Sequence, residues 1–166
     1  MSWAASPAAP RPVPEGPRAR LRWAGLADLD ALCAVYRAAR PERAGEDGED
    51  AEEMAAWLEH GGAILLESEG EAIAALRWRE ESDGWRVDPA ANPSGEPGGG
   101  YERWLMTKVE ALAIRANIPT LTVEVPSPDA LPTYRRMGYR RLEPGSPRPT
   151  MIKRVGGTWQ VQEEHR

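Results

Sequence analysis

Three consecutive glycines, Gly98, Gly99 and Gly100, followed by Tyr101, stand where a strand pattern has ended and a helix pattern begins. Glycine lets the backbone approach a ligand closely, and free N–H groups at a helix start point at an anion. The chemistry on offer is the cradling of a phosphate by consecutive amides. An ordinary loop can have the same composition, so the cluster takes its meaning from its setting. The strand pattern before it is residues 85–88, closed by Pro89. The helix pattern after it runs to about Ile118, with Leu105, Val109, Leu112, Ala113 and Ala116 on one face. Other reactive residue types are sparse. Cys33 sits among apolar residues and reads as a packed small side chain. His60 and His165 have no cysteine or acidic partners at ligand spacing, so no metal site is expected.

The elements that must position this turn follow from pattern and punctuation. The chain has 166 residues and 41% hydrophobic content, which suits one domain. Seven tryptophans and no phenylalanine imply a core filled by Trp and Leu. A net charge of −5 argues against nucleic acid as a partner. No run is apolar enough to span a bilayer, no secretory signal pattern opens the chain, and a single cysteine suits a reducing cytoplasm. Residues 1–18 read as a disordered Ala/Pro-rich leader, 19–156 as one domain, and 157–166 as a polar tail. A first strand lies at 20–23, and Leu29, Leu32, Cys33 and Tyr36 mark a helix ending before Pro41. Asp28 suits the positive end of that helix. An acidic loop, 46–50, precedes a second helix; Asp50 with Glu53 forms a capping pattern, and Gly61–Gly62 reads as the helix stop. Strands at 63–67 and 72–78 flank a Glu69–Gly70 hairpin turn, and Asp83–Gly84 leads into the strand at 85, giving an antiparallel meander. Thr120 to Val125 alternates, placing Thr120, Thr122 and Glu124 opposite Leu121, Val123 and Val125, and could lie parallel to 85–88. A short helix with Pro132 in its first turn ends at Gly138. Two last strands follow, at 139–142 and 150–155.

This order resembles the GCN5-related N-acetyltransferase superfamily across about residues 20–155. The resemblance is most specific over 129–139, where Ala130, Pro132, Tyr134, Gly138 and Tyr139 match A-x-P-x-Y-x-x-x-G-F/Y. Residues 22–29 are similar to the family's R-x-A-x-x-x-D-L opening. Val87–Asp88–Pro89 matches V-x-P, and residues 150–153 fit the last strand. The resemblance implies a mixed, mostly antiparallel α+β sheet with about four helices and acetyl-CoA wedged where the fourth and fifth strands splay. The family's Q/R-x-x-G-x-G/A turn is altered here. Counted from Pro89, Asn92 and Gly95 fit but Pro97 takes the second glycine place. Counted back from the helix, Gly98 and Gly100 fit. Either way the turn is three or four residues longer.

By the resemblance, Val87, Gly98, Gly99, Gly100 and Tyr101 would line the cofactor, and Ser127 falls where the family often has a cofactor-contacting asparagine. Ser127 as a simple turn cap is the plainer account. The resemblance makes Tyr134 the acid that protonates the leaving CoA thiolate; a tyrosine bonded at a core edge is the alternative. Amine attack also needs a base. Glu124 is the leading candidate, with Asp88, Glu80 and Glu81 behind it. The implied reaction is direct acetyl transfer to a primary amine of a small molecule or peptide, and the acidic loop leans toward a cationic acceptor. The rival is a degenerate family member that binds a ligand or protein without catalysis. Exposed sheet edges allow a homodimer.

Overall fold

The computed structural model describes residues 19–40, 51–93, 100–143 and 149–156. The leader, the acidic loop with Asp50, Gly98, Gly99 and the polar tail lie outside them. Among the described residues, seven strands form one sheet: β1 (Ala19–Ala24), β2 (Gly61–Ser68), β3 (Glu71–Glu81), β4 (Gly84–Val87), β5 (Thr120–Glu124), β6 (Arg140–Arg141) and β7 (Thr150–Arg154). Their order is β1-β2-β3-β4-β5-β7-β6. Every pairing is antiparallel except β4 with β5. Among the described residues, four α-helices accompany the sheet: α1 (Leu29–Ala39), α2 (Ala51–Glu59), α3 (Gly100–Arg115) and α4 (Leu131–Arg136).

The two faces carry separate cores. Side chains that alternate along the strands put Leu76, Trp78, Val87, Leu121, Val123 and Met151 on one face, under Leu105, Met106 and Val109 of α3 and Tyr134 of α4. The other face buries Ala63, Leu65 and Ala75 under Leu32, Val35 and Tyr36 of α1 and Met54 of α2. The expected meander is present, and its first turn has Glu69 at φ 54° and Gly70 at φ 80°, the two positive angles that a two-residue hairpin favours. Pro132 lies in the first turn of α4 and Gly138 ends that segment at φ 92°.

Two expectations change. Gly61 and Gly62 do not stop α2, which ends at Glu59; they open β2. They are glycine because the facing strand leaves no room. A Cβ on Gly61 would collide with the Trp78 carbonyl, and one on Gly62 would stand 2.6 Å from the Trp78 ring. Tryptophan also fills less of the core than composition implied. Trp78 and Trp85 are buried and stacked at 5.2 Å, but Trp23, edge-on to Trp78 at 5.6 Å, is 59% exposed.

The parallel pairing is short. It spans Trp85↔Leu121, Arg86↔Thr122 and Val87↔Val123. Beyond Val123, β5 stays with β7, through Glu124↔Thr150 and the Val125 N–H to the Pro149 carbonyl at 2.8 Å. The β4 chain instead follows β3. Val87 faces Trp78, and Ala91 faces Ala75 through a double hydrogen bond. One more residue is used on the β4 side than on the β3 side, which is a β-bulge. The two parallel strands therefore fork just after Val87 and Val123.

Gly62→Ala should destabilise the protein by about 1–3 kcal/mol, because the Trp78 ring is pinned by Trp85 and cannot yield freely. Gly25→Ala, with nothing within 4 Å of the new Cβ, is the near-neutral control. Urea unfolding midpoints of the two variants measure the difference.

Candidate active site at the β4–β5 fork

Tyr134 lies on the α3 face, in the same core as Val87, Val123 and Val125 at the fork. The six-residue α4 holds it in place: the Tyr139 N–H bonds back to the Tyr134 carbonyl at 3.0 Å, and the Gly138 N–H to Arg135 at 3.0 Å. The Tyr134 ring meets Tyr139 edge-to-face at 5.8 Å. The side chain is 1% exposed, and its hydroxyl donates to Glu102 Oε1 at 2.9 Å. Burial above all, then the charge and hydrogen bond of Glu102, push the phenol well above the ordinary tyrosine range. Tyr134 therefore keeps its proton at neutral pH. Its neighbour Tyr139 donates to Glu110 at 3.2 Å, and Lys153 Nζ bonds the same carboxylate at 3.0 Å and the Met137 carbonyl at 2.7 Å.

Glu102 escaped the sequence reading. An acidic residue in the first turn of α3 looks like ordinary dipole compensation. Nothing local signals that it will meet a tyrosine 32 residues away.

Glu124 occupies the opposite face of the sheet, one residue past the last parallel pair. Its Oε2 accepts from Arg86 Nη2 at 2.7 Å. Tyr134 and Glu124 can therefore act on one molecule only if that molecule passes through the fork. Asp88 reads differently in three dimensions. Its carboxylate accepts from Arg77 Nε at 2.9 Å and from Arg40 Nη1 at 3.1 Å. Arg77 is 1% exposed and lies over the rings of Tyr36 and Trp57 at 4.5 and 4.6 Å. Asp88 is thus an anchor for a buried cation. Glu80 and Glu81 pair with Trp85 and Gly84 at the start of β4, away from the fork.

The candidate cofactor residues divide. Val87 is buried in the core, so only its backbone is available. Gly100 begins α3, and Tyr101 packs against the core, which leaves its amide in the first helical turn. Ser127 is half-buried, in extended conformation before a 3-10 turn at Pro128–Ala130, and its side chain makes no capping bond. Asn92, two residues before the undescribed part of the turn, has a buried Oδ1 without a partner among the described residues. Among the described residues no group of three or more His, Cys, Asp or Glu is placed to hold a metal. No described helix is long and apolar enough to cross a membrane.

No family model and no curated protein matches the sequence. Solved structures do. PaiA N-acetyltransferase from Thermoplasma acidophilum, in complex with coenzyme A, superposes with a TM-score of 0.69 at 12% identity, over 82% of this chain and 98% of that one. Aminoglycoside 6'-acetyltransferase type Ii gives 0.69 at 16% identity, over 83% and 98%. A GCN5-related N-acetyltransferase from Rhodopseudomonas palustris gives 0.62 at 18%, over 81% and 94%. This chain has the GNAT fold. In GNAT terms, the fork after Val87 and Val123 is the splay that the sequence resemblance implied, and α3 and α4 flank it on one side.

The tyrosine environment has a measurable consequence. In the unfolded chain Tyr134 and Tyr139 ionise near pH ~10, whereas the folded protein holds both phenols protonated to higher pH. Their contribution is intact below pH ~10 and is lost as pH rises above it, because only the unfolded chain then releases the protons. Urea unfolding between about pH 8 and 11 should show stability falling at the alkaline end, with a shallower fall in Tyr134→Phe. Glu102→Gln should move the Tyr134 ionisation, read by ultraviolet difference absorbance, toward the ordinary range.

Proposed function

We propose that the protein is an N-acetyltransferase that moves an acetyl group from acetyl-CoA to a primary amine of a small molecule or peptide. The observation that carries this reading is the fork, with the Tyr134 hydroxyl behind it and the Glu124 carboxylate in front. A thioester lying between the parted strands would meet both groups. The amine nitrogen attacks the thioester carbonyl carbon, the C–S bond breaks, and the sulfur leaves with the electron pair. Glu124, directly or through a water, takes the proton that the nitrogen sheds. Tyr134 turns from Glu102 and offers its proton to the leaving sulfur, which lowers the barrier by stabilising the thiolate as it forms. No covalent enzyme intermediate is required. The amides at the start of α3, from Gly100 and Tyr101, are the donors for the CoA diphosphate in this reading. The coenzyme A held by the PaiA structure supports the choice of donor.

A second reading has an observation of its own. Counted from Pro89, the sequence has Pro97 in a glycine place of the family's turn, and Tyr134 is already engaged by Glu102. Both suit a GNAT-fold protein that binds a partner without catalysis. Isothermal titration with CoA separates the two: sub-millimolar binding is expected of the transferase, and absence of heat would favour the binder. Tyr134→Phe should lower turnover on any accepted amine by about 100-fold while leaving CoA affinity within about twofold. Unchanged turnover would remove Tyr134 from the reaction.

A further inference from the structure

The half of the sheet beyond β3 carries rows of side chains fixed by register on the face that α1 and α2 leave behind. Arg79, Arg86, Thr122, Ile152 and Arg140 stand side by side across β3, β4, β5, β7 and β6. One row toward the fork are Glu124 and Thr150, and one row away are Thr120 and Arg154. Most charges on this face are neutralised. Arg79 pairs with Glu81 at 3.4 Å, and Arg86 pairs with Glu81 at 3.9 Å and Glu124 at 2.7 Å.

Arg140 and Arg154 are different. Both are exposed, and neither has an acidic partner among the described residues, in a chain with 26 acidic residues against 21 basic ones. They belong to one depression of ≈ 550 Å³, lined by Gly138, Arg140, Ile152, Lys153 and Arg154. The Lys153 ammonium is spent on Glu110 and the Met137 carbonyl. Two guanidinium groups thus flank the half-buried Ile152 with their donors uncommitted. Blunting the sheet edge would be served by the adjacent pair Arg140 and Arg141. It gives no reason for Arg154 to share the face and the depression with Arg140.

We propose that this depression binds a carboxylate or phosphate group between Arg140 and Arg154, and that the group is the anionic end of the acceptor amine. Guanidinium suits either anion, because its planar fork donates two parallel hydrogen bonds. The second half of the proposal rests on the acetyltransferase reading. Ile152 lies two residues from Thr150, the partner of Glu124, which is about 7 Å along the strand, and Arg140 lies two strands from β5, about 10 Å across. An amine at Glu124 and an anion at Arg140 are therefore on the order of 10 Å apart. That span selects an extended amine with a distal acidic group, which differs from the cationic acceptor toward which the acidic loop leans.

Inorganic phosphate is the first probe, titrated into the full chain and followed by amide-detected NMR. Saturable shifts at residues 138–140 and 152–154 are expected. They should weaken by about tenfold or more in the double variant Arg140→Gln/Arg154→Gln and remain in Arg135→Gln, an exposed arginine on α4. No saturable shift, or equal affinity in the double variant, overturns the site. ω-Aminooctanoate and octanoate are then compared as competitors of phosphate. Tighter binding of the amino acid, lost in Glu124→Gln, supports the anion as part of the acceptor. Equal binding of the two assigns the site to a free anion and overturns that half. CoA titration of the unsubstituted protein keeps the readings apart. Failure of CoA binding with phosphate binding intact sinks the transferase and leaves the anion site standing.

Discussion

Asp88 is pulled toward β3 by two arginines, and the parting of β4 from β5 depends on that pull. Arg77 comes from β3 itself and is almost wholly buried, with Tyr36 and Trp57 against its guanidinium. Arg40 comes from the end of α1 and also bonds the Pro89 carbonyl at 2.8 Å. A buried ion pair of this kind adds modest net stability, because desolvation offsets much of the attraction, but removing one partner strands the other at a cost of about 3–5 kcal/mol. The pair therefore works mainly as a constraint. It fixes the chain after Val87 to the β3 side while β5 is kept straight by β7. The same contacts tie α1 and α2 to the strand end, so the two helices and the fork form one mechanical unit.

The two faces on either side of the fork are electrostatically unlike. The α3 face is largely apolar, and its phenols, Tyr134 and Tyr139, are each tied to one carboxylate on α3, with Lys153 sharing the one that holds Tyr139. The opposite face, past α1 and α2, is a lattice of arginines and glutamates half open to water. A phenol in the first setting resists ionisation. A carboxylate in the second is ion-paired but accessible, with Glu124 over a third exposed. A molecule crossing the sheet would pass from a buried, apolar face to a charged, half-exposed one.

Much of the fold was legible because it rests on short-range signals. The alternation of 120–125, the Glu69–Gly70 turn, Pro132 and Gly138 each constrain their own neighbourhood, and together they define the strand and helix order. What escaped depends on contacts between distant segments. Gly61–Gly62 looks like a helix stop until Trp78 is seen across the strand pair. Arg77 reads as an ordinary strand charge, and only packing against α1 and α2 buries it. Asp88 stood as a secondary base candidate because neither of its arginines is near in sequence. Of the candidate site, the alternation of 120–125 set the face of Glu124 in advance, but the fork itself was not legible, since the bulge that opens it leaves no pattern in composition.

The bulge also reverses which side of β4 is inside. Val87 belongs to the core under α3, whereas Ala91, four residues later, belongs to the core under α1 and α2. In an unbroken strand the two would share a face. Losing or gaining one residue between them would turn Ala91 away from the core under α1 and α2. The double hydrogen bond between Ala91 and Ala75 is where this parity is enforced.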